Sequence, residues 1–134
     1  MPAEILEVLR GGYAAFAHGD MSAVLDLLDP DFVVEVHMGP DADTYRGREG
    51  FVANIDRVRD VFEEFAIEPE RFVEVGDRIV VPFRVHGRGR GSGVPVEQHR
   101  AHMWTLRGDR AVRLDVFGDA DEALAAARAA GREQ

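Results

Sequence analysis

Residues 96–117 read VEQHRAHMWTLRGDRAVRLDVF. This is two extended runs joined at Gly108-Asp109, a pair suited to a tight hairpin turn. Side chains alternate across a strand, so residues two apart share a face. In the second run, Val112, Leu114 and Val116 share one face and Arg113, Asp115 and Phe117 the other. In the first, Gln98, Arg100, His102 and Trp104 stand opposite His99, Ala101 and Met103. One reading buries the valine–leucine face and leaves Arg113 and Asp115 to water as an ion pair. The other turns Asp115 toward a pocket.

The pattern extends upstream. Residues 66–75 and 78–86 form a second strand pair about Gly76-Asp77. GRGRGSGVP, residues 87–95, connects the two pairs. It is short and lies between strands, so it reads as a hairpin loop rather than an RNA-binding glycine–arginine tract. Residues 48–64 carry the clearest helical signal, because Phe51, Ile55, Val58, Phe62 and Phe65 make one apolar stripe. Residues 3–17 form a helix on the spacing of Ile5, Leu9, Gly12 or Tyr13, and Phe16. Asp20 caps a short helix over 21–28, which Asp29-Pro30-Asp31 ends. FVVEVH, residues 32–37, is a strand rich in β-branched residues. MGPDAD is a loop, and TYRG a short extended piece. An alanine-rich helix over 120–130 follows a cap at Asp119 or Asp121, and the last four residues are expected to fray.

The 134 residues fit one domain, 1–134, without repeats or a linker, and 46% hydrophobic content supplies a core. The net charge of −9 argues against nucleic-acid or anionic-membrane partners. No apolar run is long enough for a membrane span, and no signal-peptide pattern opens the chain, which favours the cytoplasm. The absence of cysteine removes disulfides, thiolate nucleophiles and cysteine-based metal sites. His99 and His102 have zinc-like spacing, but on a strand they point to opposite faces, so no metal is expected. No glycine-rich phosphate loop precedes a helix, and no cofactor is expected.

The order of elements gives an α+β domain, and a strongly curved sheet wrapped around the long helix would leave a conical cavity. AFAHGDMSAVLDLLDPDFVVEV, YRGREGF, VEVGDRIVVPFRV and HMWTLRGDRAVRLDVF together resemble the NTF2-like superfamily, specifically its SnoaL-like and ketosteroid-isomerase-like members. The resemblance implies a cone-shaped fold: a strongly curved, mostly antiparallel sheet wrapped around a long helix, with two shorter N-terminal helices. It also implies a convex sheet face that commonly packs against a second subunit, hence a homodimer. That superfamily holds isomerases, cyclases, epoxide hydrolases and non-catalytic modules, so the fold does not settle the activity.

By the resemblance, Asp115 projects into the pocket as an acid/base, with Arg113 beside it. His102 falls where ketosteroid isomerases place a proton-donating carboxylic acid. A histidine there can polarise a carbonyl, or be a hydrogen-bonded core residue. The general-base position falls on Val36 and the oxyanion-tyrosine position near Gly12, with Tyr13 about 100° further around the helix. The epoxide-hydrolase pattern also breaks, since RIVVPFRVH offers Arg84 but no carboxylate. Tyr13, Phe16, Phe51, Ile55, Phe62, Phe83, Trp104 and Phe117 are the expected cavity lining. His37 is also a candidate substrate-binding residue; it shares a face with Glu35, either oriented by it or solvated with it at a sheet edge. The expected ligand is a small apolar carbonyl or polyketide-like molecule, turned over by cofactor-independent cyclase, isomerase or hydrolase chemistry. The alternative is a non-catalytic binding or dimerising module.

Overall fold

The structure is a computed structural model that describes residues 3–38 and 43–132. Its elements are α1 (Ala3–Ala17), α2 (Met21–Asp26), β1 (Leu28–Val36), β2 (Thr44–Arg46), α3 (Gly47–Val61), β3 (Phe62–Pro69), β4 (Val73–Val75), β5 (Arg78–Gly89), β6 (Pro95–Arg107), β7 (Arg110–Phe117) and α4 (Ala120–Arg132). The strands form one sheet in the order β2-β1-β7-β6-β5-β3, with β4 also paired to β5. Every pairing is antiparallel except β1 with β7. The expected α+β architecture is therefore present, with the sheet curved around α3.

Curvature comes from interruptions of register, because an extra residue bends a strand and increases its twist. Shifts fall within β1 between Leu28 and Val33, within β3 between Glu63 and Ala66, and where β6 meets β7 beside Thr105. Glu64, at the β3 shift, has φ of 52°. The β1 shift corrects the expected boundary at Asp29-Pro30-Asp31. That tripeptide does not separate helix from strand, since β1 already starts at Leu28 and carries it as an irregularity. A bulge is where a strand tolerates proline, which cannot donate to the ladder. Arg48 secures the place, donating to the Leu28 carbonyl through Nε at 3.2 Å and Nη2 at 2.9 Å.

Asp20 caps α2 as expected, accepting from the Ala23 amide at 3.1 Å. Asp119 caps α4, accepting from the Glu122 amide at 2.8 Å. Helix α3 stops earlier than its apolar stripe suggests. Phe62 has extended backbone (φ −118°, ψ 138°) and opens β3. Phe62 and Phe65 continue the apolar surface of the helix from a strand, which is why the spacing overran the helix end. Strand β5 runs on to Gly89, so the connection to β6 is shorter than residues 87–95. Helix α4 reaches Arg132, two residues beyond its expected end at 130. Of the expected loop at 38–43, residues 39–42 lie outside the described residues, as do 133–134 of the tail.

YRGREGF owes its form to two glycines. Gly47 starts α3 at φ of +72°, a left-handed conformation open to glycine. Gly50 faces β2 so closely that a Cβ there would stand 2.8 Å from the Tyr45 carbonyl carbon. Backbone cannot yield as a side chain can. Gly50→Ala is expected to destabilise the fold by about 1–3 kcal/mol, read as a lower urea midpoint at unchanged slope.

Two apolar clusters lie on opposite faces of the sheet. The concave one joins Phe32, Val34, Ile79, Val81, Trp104 and Leu114 to Leu9 of α1 and to Phe51 and Ile55 of α3. The convex one joins Val80, Ala101, Met103 and Phe117 to Ala123 and Ala127 of α4. These two alanines are fully buried and four residues apart, so they share one helix face and let α4 lie close to the sheet. The apolar part of the convex face is thus covered by the chain's own C-terminal helix.

Candidate functional site

Between the concave face, α1 and α3 lies a cavity of about 370 Å³. Tyr13 and Phe16 from α1, and Phe51 and Ile55 from α3, line it as expected. So do Phe62, Phe83 and Trp104. The wall continues through Val36, Leu114 and Val116, so the position the resemblance gives to a general base is an apolar part of the lining. Polar groups cluster along one strand, because Gln98, Arg100, His102 and Trp104 all sit on the concave face of β6. The exposed Arg57 and Val61 also belong to the lining and mark where the cavity meets solvent.

His102 is 8% exposed and has a defined partner. Trp104 Nε1–H, which can only donate, gives its hydrogen to Tyr13 Oη at 2.8 Å. The Tyr13 hydroxyl is 2.7 Å from His102 Nδ1. Among the described residues that nitrogen is the hydroxyl's one acceptor, so the hydroxyl donates its hydrogen to it. Burial pushes the His102 imidazole down to about 3, so the ring is neutral at neutral pH. Burial pushes the Tyr13 phenol upward against the opposing hydrogen bond from Trp104, so it keeps its proton. A neutral imidazole that accepts at Nδ1 carries its hydrogen on Nε2. The relay Trp104 to Tyr13 to His102 thus orients one N–H donor on a wall otherwise dominated by carbon. Phe83 packs on the imidazole with ring centres 4.1 Å apart. The relay joins residues about ninety apart in sequence, and Tyr13 was legible only as an aromatic on the inner stripe of α1.

The cavity does not include Asp115, Arg113, Phe117 or His37, and the expectation that they line it is corrected. On β7 it is Leu114 and Val116 that face inward, opposite Trp104 and His102 of β6. Asp115 pairs with Met103 of β6 and Glu35 of β1, whose side chains lie on the convex side. There Asp115 is 2% exposed and fully engaged. His37 Nε2 is 2.7 Å from its Oδ1, Arg113 Nε donates to Oδ2 at 2.9 Å, and Arg113 Nη2 donates to Oδ1 at 2.9 Å. Arg113 also pairs with Glu35. His37 stacks on Phe117 at 4.5 Å with the rings 5° from parallel. The hydrogen bonds that Arg113 donates to Asp115 lead the causes that raise its guanidinium above its ordinary value.

Glu35, His37 and Asp115 bring one ligand atom each within 4.8 Å of one another, a set with metal-binding chemistry. Of the two readings of His37, orientation by Glu35 does not hold, since Asp115 takes the imidazole, while the ring remains exposed. The Arg113 guanidinium bonds both carboxylates and already supplies the positive charge a cation would bring. The cluster reads as an ionic network on the convex side in which two carboxylates share one guanidinium. Among the described residues, no helix is long and apolar enough to cross a membrane.

The comparisons agree with this architecture. No curated protein matches the chain. TerC, whose crystal structure was obtained with polyporic acid, is 24% identical over 92% of this chain and 97% of its own, with a TM-score of 0.76. An NTF2-like protein of unknown function from Burkholderia pseudomallei is 26% identical with the same coverages and TM-score. A Catenulispora acidiphila protein with a ketosteroid isomerase-like fold, solved with trimethylamine, is 19% identical over 89% of this chain and 90% of its own, with a TM-score of 0.72. The family model of the SnoaL-like domain matches residues 9–114, and the chain belongs to that family.

Proposed function

We propose that the cavity binds a small, largely apolar carbonyl compound of polyketide-like character, and that His102 Nε2–H donates to its carbonyl oxygen. The observation that carries this reading is the relay from Trp104 through Tyr13, which makes His102 a neutral donor. A donor held in place before the ligand arrives, on a largely apolar wall, polarises a carbonyl without the cost of reorganisation. The chemistry this supports is of the cyclase or isomerase class, in which electron density moves toward the carbonyl oxygen. It needs no cofactor. The expected carboxylate partner, Asp115, belongs to the convex network and has no part in it.

A second reading is a binding module without turnover. It draws support from the lining, which among the described residues contains no aspartate or glutamate to act as base. Turnover assays on carbonyl ligands that bind separate the two.

Trp104 is the only tryptophan, so its fluorescence reports entry into the cavity. A cyclic aryl ketone should quench it more strongly at equal concentration than the same ring system lacking the oxygen. His102→Met removes the donor at similar volume. It should weaken ketone binding about tenfold, the worth of one hydrogen bond, and leave the deoxy compound unaffected. Equal losses for both compounds would mean that His102 acts only by shape.

A further inference from the structure

The polar side of the cavity holds a charge that no described residue balances. Arg100 stands two residues before His102 on the same face of β6 and lines the same cavity. Its side chain bonds Met38 Sδ and Gln98 Oε1, both neutral. Among the described residues, no carboxylate lies within ion-pair distance of it. Arg84 and Arg113 differ, each pairing with two acids. Burial lowers the Arg100 guanidinium from its ordinary value, with no opposing charge to restore it. Arg100 is only partly buried, but even partial loss of water around a cation is a cost that a paired anion would offset.

The rest of the lining sharpens the contrast. Arg57, which has an interaction of its own, joins Arg100 there, and no acidic residue among those described does. Yet the chain has 25 acidic residues against 16 basic ones. Among the described residues of this acidic protein, no carboxylate lines the cavity that carries the guanidinium.

We propose that the ligand is an organic acid: an apolar carbonyl compound bearing a carboxylate, which Arg100 receives while His102 takes the carbonyl. This rests on the carbonyl-binding reading above and narrows it to anionic ligands. A guanidinium meets a carboxylate through two parallel N–H donors, and Gln98 accepts from one arm of the fork and so fixes its plane. Arg100 and His102 are two residues apart, about 7 Å along a strand. The acid and the carbonyl of one ligand are therefore separated by a few bonds. The guanidinium stays charged while His102 and Tyr13 are neutral, so the acid is recognised by charge and the carbonyl by a neutral donor.

The test uses benzoyl-alkanoic acids with two to four methylenes, each beside its methyl ester, titrated against Trp104 fluorescence. Wild type is expected to bind the best acid at least about tenfold tighter than its ester, the worth of a charge-assisted pair. The preference should shrink as sodium chloride rises. R100Q should bring the affinities of acid and ester together, and R100K should keep part of the preference. Equal binding of acid and ester to folded wild type would overturn the acid inference and leave the carbonyl reading standing. Persistence of the preference in R100Q would overturn the assignment to Arg100. Failure of both series to bind would overturn both readings together.

Discussion

Asp115→Ala is expected to cost about 3 kcal/mol of stability, the scale for breaking a buried, hydrogen-bonded ion network, and to leave ligand affinity in the cavity unchanged. The carboxylate is 2% exposed and accepts from His37 and twice from Arg113. Removing it leaves the Arg113 guanidinium, itself partly exposed, with Glu35 alone. That remaining pair holds the loss to the lower end of the range. Asp115→Asn keeps the volume and one acceptor and should cost about 1–2 kcal/mol. Urea unfolding gives the stability, and Trp104 quenching gives the affinity in the same samples. Stable variants with abolished ligand binding or turnover would return Asp115 to a functional role.

Acid should destabilise this protein through His102. Burial holds its imidazole at about 3, against about 6.5 in an unfolded chain. Between those values the unfolded state binds the proton and the folded state does not, so stability rises with pH across that window. The contribution is intact above pH about 6.5 and is lost progressively as pH falls toward 3. The full loss amounts to about 5 kcal/mol, because each tenfold difference in proton affinity between the two states is worth about 1.4 kcal/mol. His102→Gln cannot take up the proton and keeps an acceptor for the Tyr13 hydroxyl. It should therefore flatten the stability curve between pH 6.5 and 4. A variant as acid-sensitive as wild type would place the sensitivity elsewhere. In wild type, binding of a carbonyl ligand to the neutral ring should add to stability across the same window.

The strands and helices were largely legible because their signals are local. Phe51, Ile55 and Val58 mark α3 by spacing alone, and the glycine-containing turns at residues 76–77 and 108–109 separate the hairpin strands. The inaccurate boundaries share a cause. Phe62 continues an apolar surface from a strand, and Asp29-Pro30-Asp31 is accommodated by a bulge against β7. Both depend on residues far along the chain. The same holds for the contacts that make the candidate site. Tyr13 reaches His102 across 89 positions, and His37 reaches Asp115 across 78.

Alternation sorted the residues of β6 and β7 into their faces correctly. It set Leu114 and Val116 against Asp115 and Phe117, and Gln98, Arg100, His102 and Trp104 against His99, Ala101 and Met103. Which face encloses the cavity is not carried by a period of two, since the pattern is unchanged when the sheet bends the other way. The bulges set the direction of curvature, α3 occupies the concave side, and the small face of α4 covers the apolar convex surface. Those long-range contacts put Leu114 and Val116 in the cavity and Asp115 in an ionic network on the convex side. They leave His102 and Arg100 on the polar side of the cavity wall, where we propose that a ligand is received.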